Sequence, residues 1–170
     1  MDPEISISTV IRSHEDPRKV IDSIMGLFPQ WTPSSNPVVQ KFPNNREDIE
    51  ISGTAESLDN VLSILRDNRV LDTALDAMAM NIGDGKTTFS LSRQSALVGK
   101  VSFVLDGIPL GGTMEICLQG EDLGIWLEQQ TWHVGRDTVP RSVGDDLAMS
   151  DRGEPMEWFD SNGRKMKNQD

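Results

Sequence analysis

The sequence has very little of what metal centres are built from. It contains one cysteine, Cys117, and two histidines, His14 and His133, in 170 residues. A single cysteine excludes an intramolecular disulfide and a thiolate cluster, and the two histidines lack the spacing of a zinc site on one helix. We therefore predict no metal centre and no cofactor. Cys117 follows an alternating apolar run, so we expect a buried, unreactive thiol.

Positive charge is also scarce, and this limits the class of partner. Lys and Arg number 16 against 27 Asp and Glu, which gives a net charge of -11. Such a chain cannot coat nucleic acid through bulk positive charge, although a local basic patch remains open. No apolar run reaches membrane-spanning length, and the N-terminus lacks an apolar signal core. We expect a cytoplasmic protein with no membrane contact.

The N-terminal patterns are the clearest signals of regular structure. Residues 4–12 alternate between β-branched apolar and mainly polar side chains, which predicts a strand with one buried face. Asp16 and Pro17 then form an N-cap and first-turn signal. The helix that they begin is expected to end at Pro29, with Trp31 packed at its end.

The rest of the chain predicts an α+β fold. Helical periodicity covers 56–82 with an interruption at 66–69, so two short helices or one kinked helix would fit. Further strands are predicted over 38–42, 47–54, 88–92, 100–105 and 114–118. These strands cluster through local hairpins instead of alternating with crossover helices throughout. That order favours an antiparallel or mixed sheet with helices packed on one face.

The composition divides the chain into three parts. Residues 1–118 carry the patterned α+β core domain, and 119–134 predict one further strand or helix packed on the core. Residues 135–170 are polar and short of aliphatic side chains, which predicts a flexible, disordered acidic tail. Within that tail, 154–160 places apolar residues in an acidic stretch and resembles a short linear docking motif.

No catalytic constellation can be assembled from the residues. Gly85-Lys86-Thr87 is similar to the end of a phosphate-binding loop, but Met80 stands where the first glycine is required. Thr87 also begins a strand instead of the helix that would hold the phosphate. Ser95 has no nucleophile elbow. We therefore predict a protein without catalytic residues.

The candidate contacts for a binding function are polar residues, mostly cationic. Arg93, Gln94 and Lys100 form a polar elbow between two predicted strands. Arg66, Arg69 and Arg12 would extend it if the fold brings them to one end of the sheet, and are otherwise scattered solubilising charges. Serines on the strand faces can contact phosphate or 2′-OH groups, but aromatic side chains for base stacking are missing there. The same hydroxyl-rich face is equally suited to self-association.

Several blocks of sequence resemble an uncharacterised archaeal protein family. They are 4–12 with 15–20, then 69–74, 89–96, 99–103 and 109–111, in that order along the chain. The resemblance covers about residues 4–118 and does not extend to 119–170. Family members usually have Lys-Gln-Ala-Ala where this chain has Arg93-Gln94-Ser95-Ala96, and arginine keeps the charge.

This resemblance implies more than the residues alone do. Its members are described as predicted RNA-binding or exosome-associated proteins, with a fold like that of ribosomal protein L-five, an antiparallel sheet with helices packed against it. We therefore expect a non-catalytic domain that binds structured RNA or RNA-processing proteins. The alternative is a protein-interaction module or homodimer without RNA affinity.

Overall fold

The computed structural model describes residues 2–34 and 47–148, together with the backbone of 158–159 and 165–166. In chain order these residues form β1 (Glu4–Ile11), α1 (Pro17–Leu27), β2 (Thr32–Pro33), β3 (Ile49–Ala55), α2 (Asp59–Asp67), α3 (Leu71–Ala79), β4 (Lys86–Ser92), α4 (Arg93–Leu97), β5 (Phe103–Val104), β6 (Thr113–Gln119), α5 (Leu123–Gln130), a 3₁₀ turn (Val134–Asp137), β7 (Trp158–Phe159) and β8 (Lys165–Met166).

The first six strands form one antiparallel sheet in the order β2-β3-β1-β6-β4-β5. The N-terminal strand β1 lies inside the sheet, where Ile7 is opposite Gly53 of β3 and Ile116 of β6. The predicted α+β class with an antiparallel sheet is confirmed. Strands β7 and β8 pair with each other in a separate two-stranded sheet.

Alternation along the strands decides which face of the sheet is buried. Ile7 of β1, Leu91 of β4 and Ile116 of β6 are fully buried on one face, and Ile24 of α1 and Leu75 of α3 pack into the same core. The opposite face, called here the open face, is hydroxyl-rich and acidic. Its side chains are Glu4, Ser6, Ser8, Val10, Glu50, Ser52, Thr54, Lys86, Thr88, Ser90, Glu115, Cys117 and Gln119.

The first helix forms as its sequence predicts. Asp16 has extended backbone geometry, and its Oδ1 accepts a hydrogen bond of 3.0 Å from the Arg18 N–H. Pro17 occupies the first turn, where its missing N–H removes no helical hydrogen bond. The chain leaves the helix before Pro29, and Trp31 is buried at its end.

The helical region is divided in two by a left-handed residue and is followed by a tight turn. Arg69 adopts a left-handed backbone with φ of 58°, so α2 and α3 are two separate helices. At the other end, Asp84 and Gly85 both have positive φ, which makes a tight primed turn closed by pairing of Gly83 with Lys86. This turn leads directly into β4. None of the described helices is long and apolar enough to cross a bilayer.

The segment predicted as a polar elbow forms helix α4, and the strand that follows it is shorter than predicted. Ser92 ends β4 as the N-cap of α4, with its Oγ accepting from the Ser95 N–H at 3.3 Å. The strand predicted over 100–105 shortens to β5, because Gly99 turns the chain with φ of 73°. Cys117 was expected to be buried, which is wrong: it alternates onto the open face and is half-buried.

The edge of the sheet also differs from its prediction. The strand predicted over 38–42 lies outside the described residues. The edge that the structure describes is β2, which pairs with β3 through Thr32 opposite Thr54 and Pro33 opposite Gly53. Gly53 is required there because a Cβ on it would overlap the Thr32 carbonyl oxygen.

The boundary predicted for the disordered tail at residue 135 needs correction. Residues 134–148 pack on the helices, and the Arg136 side chain is 5% exposed and the Arg141 side chain 8% exposed. Polar composition misled the prediction, because buried arginines with carboxylate partners replace the missing aliphatic side chains here. Residues 119–134, predicted as a strand or a helix, contain helix α5. The segment 154–160 lies largely outside the described residues.

Candidate functional site

Arg93, the centre of the predicted binding residues, is a buried anchor. Its Nη2 lies 3.0 and 2.7 Å from the two carboxylate oxygens of Glu15, and the side chains are 5% and 16% exposed. Its Nε donates to the Gly111 carbonyl at 2.9 Å and its Nη1 to the Val10 carbonyl at 3.2 Å. Each nitrogen of the guanidinium has a partner within the protein, so Arg93 has a positioning role for α4. Its role as a nucleic-acid contact stays a prediction, and its burial leaves little of it within reach of a phosphate.

The loop before β6 is shaped to receive this guanidinium. Gly111 and Gly112 have positive φ of 85° and 76°, a conformation that side chains other than glycine rarely adopt. A Cβ on Gly112 would overlap Nη2 of Arg93. The Gly-Gly pair thus allows the backbone to close over the buried ion pair.

Gln94 lies on α4, and Lys100 lies three residues after the end of that helix. Both are exposed, and the Lys100 N–H donates to the Ser95 carbonyl at 2.9 Å, which ties it to α4. Gln94 borders a shallow groove of about 280 Å³ between α1 and α4 that the exposed Lys19 also lines. We call Lys19, Gln94 and Lys100 the α1–α4 edge.

Arg12 lies near Arg93 but is engaged elsewhere. Its Nη1 forms an ion pair of 2.9 Å with Asp48, and both side chains are nearly half exposed. The hydrogen bond from Arg12, helped by the Ser13 N–H, holds the pKa of Asp48 below its ordinary value. Arg12 therefore serves as a surface clamp between the end of β1 and the start of β3.

Arg66 and Arg69 do not join the α1–α4 edge. Arg66 is at the end of α2, where its Nη2 lies 3.5 Å from the Gln130 carbonyl oxygen of α5. Arg69 is exposed in the turn between α2 and α3. The six predicted contact residues therefore occupy different places: the α1–α4 edge, the buried pair beside Arg12, and the α2–α3 corner.

A cleft on the open face was not predicted from the sequence. It has a volume of about 700 Å³ and is bordered by the loop after β5, where Ile108 is 78% and Leu110 83% exposed. Glu50 and Glu115 line its other side together with Val10. The available signal was two aliphatic residues inside the Gly- and Pro-rich stretch 107–112, a composition otherwise typical of a polar turn.

A first cluster of buried charge fixes the chain beyond α5. Arg136 donates to Asp72 at 3.0 Å, to the Glu128 carbonyl at 2.7 Å and to Thr131 Oγ1 at 2.8 Å. Asp72 also lies 2.9 Å from His133 Nε2. Burial raises the pKa of Asp72, but hydrogen bonds from His133 and Arg136 outweigh it and bring the pKa below its ordinary value. This cluster joins α3 to the 3₁₀ turn.

A second cluster holds the next part of the segment. Arg141 donates to Asp76 at 2.6 Å and to Asp145 at 2.9 Å. Burial raises the pKa of Asp76 above its ordinary value despite Arg141. For Asp145, burial acts in the same direction, but Arg141 and the Ser142 N–H lower the pKa further than burial raises it. Within the described residues, no group of three side chains suited to a metal ion comes together.

Comparison with known proteins places the chain in a family. No family model matches it. The UPF0201 protein of Sulfurisphaera tokodaii is 32% identical over 133 residues, covering 75% of this chain and 88% of that protein. The UPF0201 protein of Methanothermobacter thermautotrophicus is 24% identical over 144 residues, covering 84% of this chain and 98% of that protein. The crystal structure of a UPF0201 protein from Methanococcus jannaschii shares the fold, with a TM-score of 0.63 and 23% identity over 76% of this chain and 99% of that one. The chain therefore belongs to the UPF0201 family, an uncharacterised family whose members named here are archaeal.

Proposed function

We propose that this protein is a non-catalytic binding protein that contacts structured RNA through the α1–α4 edge. The observation that carries the proposal is the exposure of Lys19 on α1, Gln94 on α4 and Lys100 just after α4. The buried Arg93–Glu15 pair fastens α4 to the turn before α1. No described carboxylate forms an ion pair with Lys19 or Lys100. Their charge therefore remains available for phosphate oxygens.

The chemistry of the edge favours RNA that is already folded. Ammonium and amide groups contact phosphates and 2′-OH groups, and double-helical RNA is recognised chiefly through these groups and its shape. Among the described residues, no Phe or Trp side chain borders the groove between α1 and α4 for a splayed base, and His14 is the one imidazole there. The resemblance of the chain to proteins described as RNA-binding or exosome-associated, with an L-five-like fold, supports the same proposal.

The acidity of the rest of the molecule also has a consequence for this proposal. With a net charge of -11, the protein as a whole repels nucleic acid. Binding through the α1–α4 edge would then depend on orientation and be sensitive to salt. We expect an RNA affinity that is weak at physiological salt and selective for shape.

A salt titration with labelled hairpin RNA tests the proposal. The double variant Lys19→Gln/Lys100→Gln should reduce the dependence of log K on log salt by about one to two contacts, because each lost phosphate contact reduces the slope by about 0.7 to 0.9. Lys86→Gln is the matched control, since Lys86 is an exposed lysine on the open face. Equal slopes for the double variant and the wild-type protein would sink the proposal.

The open-face cleft favours a second candidate function, the binding of another protein. Ile108 and Leu110 are exposed beside Glu50 and Glu115, which suits a segment that carries both aliphatic and basic residues. A homodimer through this face would bring the glutamates of two copies together, so like charges disfavour it.

A peptide of alternating leucine and lysine is a suitable probe of this second candidate. Glu50→Gln/Glu115→Gln should weaken peptide binding, with Glu4→Gln at the far end of β1 as the control. A peptide that binds both variants equally well would contradict it. A dimer in solution that Leu110→Asp dissociates would instead indicate self-association.

A further inference from the structure

Trp132 is held at the corner between α2 and α3 by contacts on both sides of it in the chain. Two residues before it, the Gln130 carbonyl oxygen lies 3.5 Å from Arg66 Nη2. One residue after it, His133 Nε2 lies 2.9 Å from Asp72 Oδ1. These contacts hold the chain on both sides of Trp132 near this corner, and 49% of Trp132 is exposed.

The other tryptophans with described side chains have different surroundings. Trp31 is buried at 3% exposure. Trp126 is half-buried, and its Nε1 donates to Asp2 at 3.2 Å. Trp132 thus exposes far more apolar ring than Trp31 does, and exposed aromatic surface of this kind is typical of contact sites.

Two arginines, Arg66 and Arg69, lie at the same corner. Arg66 reaches the chain beside Trp132, and Arg69 is exposed in the α2–α3 turn with its backbone fixed at a positive φ. Asp72 does not neutralise them, because Arg136 and His133 already occupy its carboxylate. Asp67, at the end of α2, is an exposed acidic residue at the same corner.

We propose that Trp132, Arg66 and Arg69 form a stacking site for an unpaired nucleotide of RNA. The indole would stack on the base, and the guanidiniums would contact the flanking phosphates. Aromatic stacking combined with arginine is the usual chemistry by which proteins bind single-stranded nucleic acid. The inference rests on the proposed RNA function but concerns other elements of the fold, and it assigns this corner to single-stranded RNA.

Binding of two labelled probes to the full chain tests the site: a single-stranded oligouridine and a fully paired RNA hairpin. Trp132→Ala should weaken oligouridine binding by about 5- to 150-fold, since a stacked base contributes about 1–3 kcal/mol. Trp132→Phe should retain most of the affinity, and Arg66→Gln/Arg69→Gln should reduce the salt slope. Trp126→Phe is the matched control and should bind like wild type. Oligouridine should also quench the indole emission of wild type but not that of Trp132→Ala.

The outcomes separate this inference from the proposed function. Unchanged oligouridine affinity in a folded Trp132→Ala variant overturns the stacking site, whether or not the hairpin binds. Oligouridine binding that depends on Trp132, without hairpin binding, supports the stacking site and overturns the role of the α1–α4 edge. A protein that binds neither probe overturns both. Trp132→Phe protects the test against misfolding of the alanine variant, because a ring of similar shape remains.

Discussion

Arg93 and Glu15, 78 residues apart in the sequence, form a two-pronged ion pair that is almost removed from solvent. The pair fastens the start of α4 to the turn before α1, beneath the loop that leads into β6. Glu15 also accepts a hydrogen bond of 2.8 Å from the Arg12 N–H. The elbow that was predicted to be cationic is thereby neutral at its centre, where Glu15 pairs with Arg93.

Removing one partner of this pair is expected to destabilise the fold. Arg93→Met should lower the free energy of unfolding by about 3 kcal/mol, because Glu15 would lose its buried guanidinium partner while its carboxylate stays mostly out of solvent. The measurement is urea denaturation followed by circular dichroism. Arg93→Met/Glu15→Leu should be less destabilised than the sum of its single variants. Additive losses would show that the two residues are not coupled.

The Gly-Gly loop above the pair gives a second prediction. Gly112→Ala should destabilise by more than Gly107→Ala, although both glycines have a φ near 75°. Alanine at either position has the cost of about 1 kcal/mol for a left-handed backbone. Only at Gly112 would the new Cβ also overlap Arg93, whereas no atom lies within 4 Å of a Cβ on Gly107. Equal melting temperatures for the two variants would contradict this assignment.

Local rules predicted the elements that depend on neighbouring residues. The alternation of β1 and the Asp16 cap each follow from a few adjacent side chains, and the structure confirms them. The α+β class follows from the order of these elements. Prediction and structure agree on these elements because one face of each strand must be buried against the helices.

Long-range pairing is what the sequence could not predict. Arg93 appeared to be a free cation because Glu15 is far away in the chain, and the polar segment 135–148 appeared unable to pack. In both cases a buried arginine meets a carboxylate that sequence spacing does not reveal. The six candidate contacts lie on different parts of the surface for the same reason. The tertiary fold decides which cations lie together, and sequence spacing does not show it.

The attachment of the segment after α5 gives a third prediction. Arg136→Lys should destabilise the protein by about 2 kcal/mol, because one ammonium cannot reproduce the separate bonds to Asp72, the Glu128 carbonyl and Thr131. Hydrogen exchange should show faster amides over 131–148 while the sheet stays protected. Arg18→Lys, an exposed position on α1, is the control. Uniform acceleration across the sheet would contradict a local role.

The second cluster predicts an opposed pair of acid responses. Asp145 has a pKa below its ordinary 3.8, so its charged form stabilises the fold above about pH 4, and this contribution is lost as the pH falls through the folded pKa. Asp76 has a raised pKa, so its contribution is complete below 3.8 and is lost as the pH rises through the folded pKa. The two carboxylates on Arg141 therefore have opposite effects in adjoining parts of the acid range, Asp145 below 3.8 and Asp76 above it.

Stability measured across that range separates the two carboxylates. Asp145→Asn should flatten the rise of unfolding free energy with pH below about pH 4, because it removes a group that favours the fold when charged. Asp76→Asn should make the rise of unfolding free energy with pH steeper, because it removes a carboxyl group whose contribution to stability falls as the pH rises. Urea denaturation at several pH values provides the measurement, and Asp106→Asn, at an exposed turn, is the control. A change of slope in the same direction for both variants would contradict the opposite pKa shifts of Asp145 and Asp76, the two carboxylates that bind Arg141.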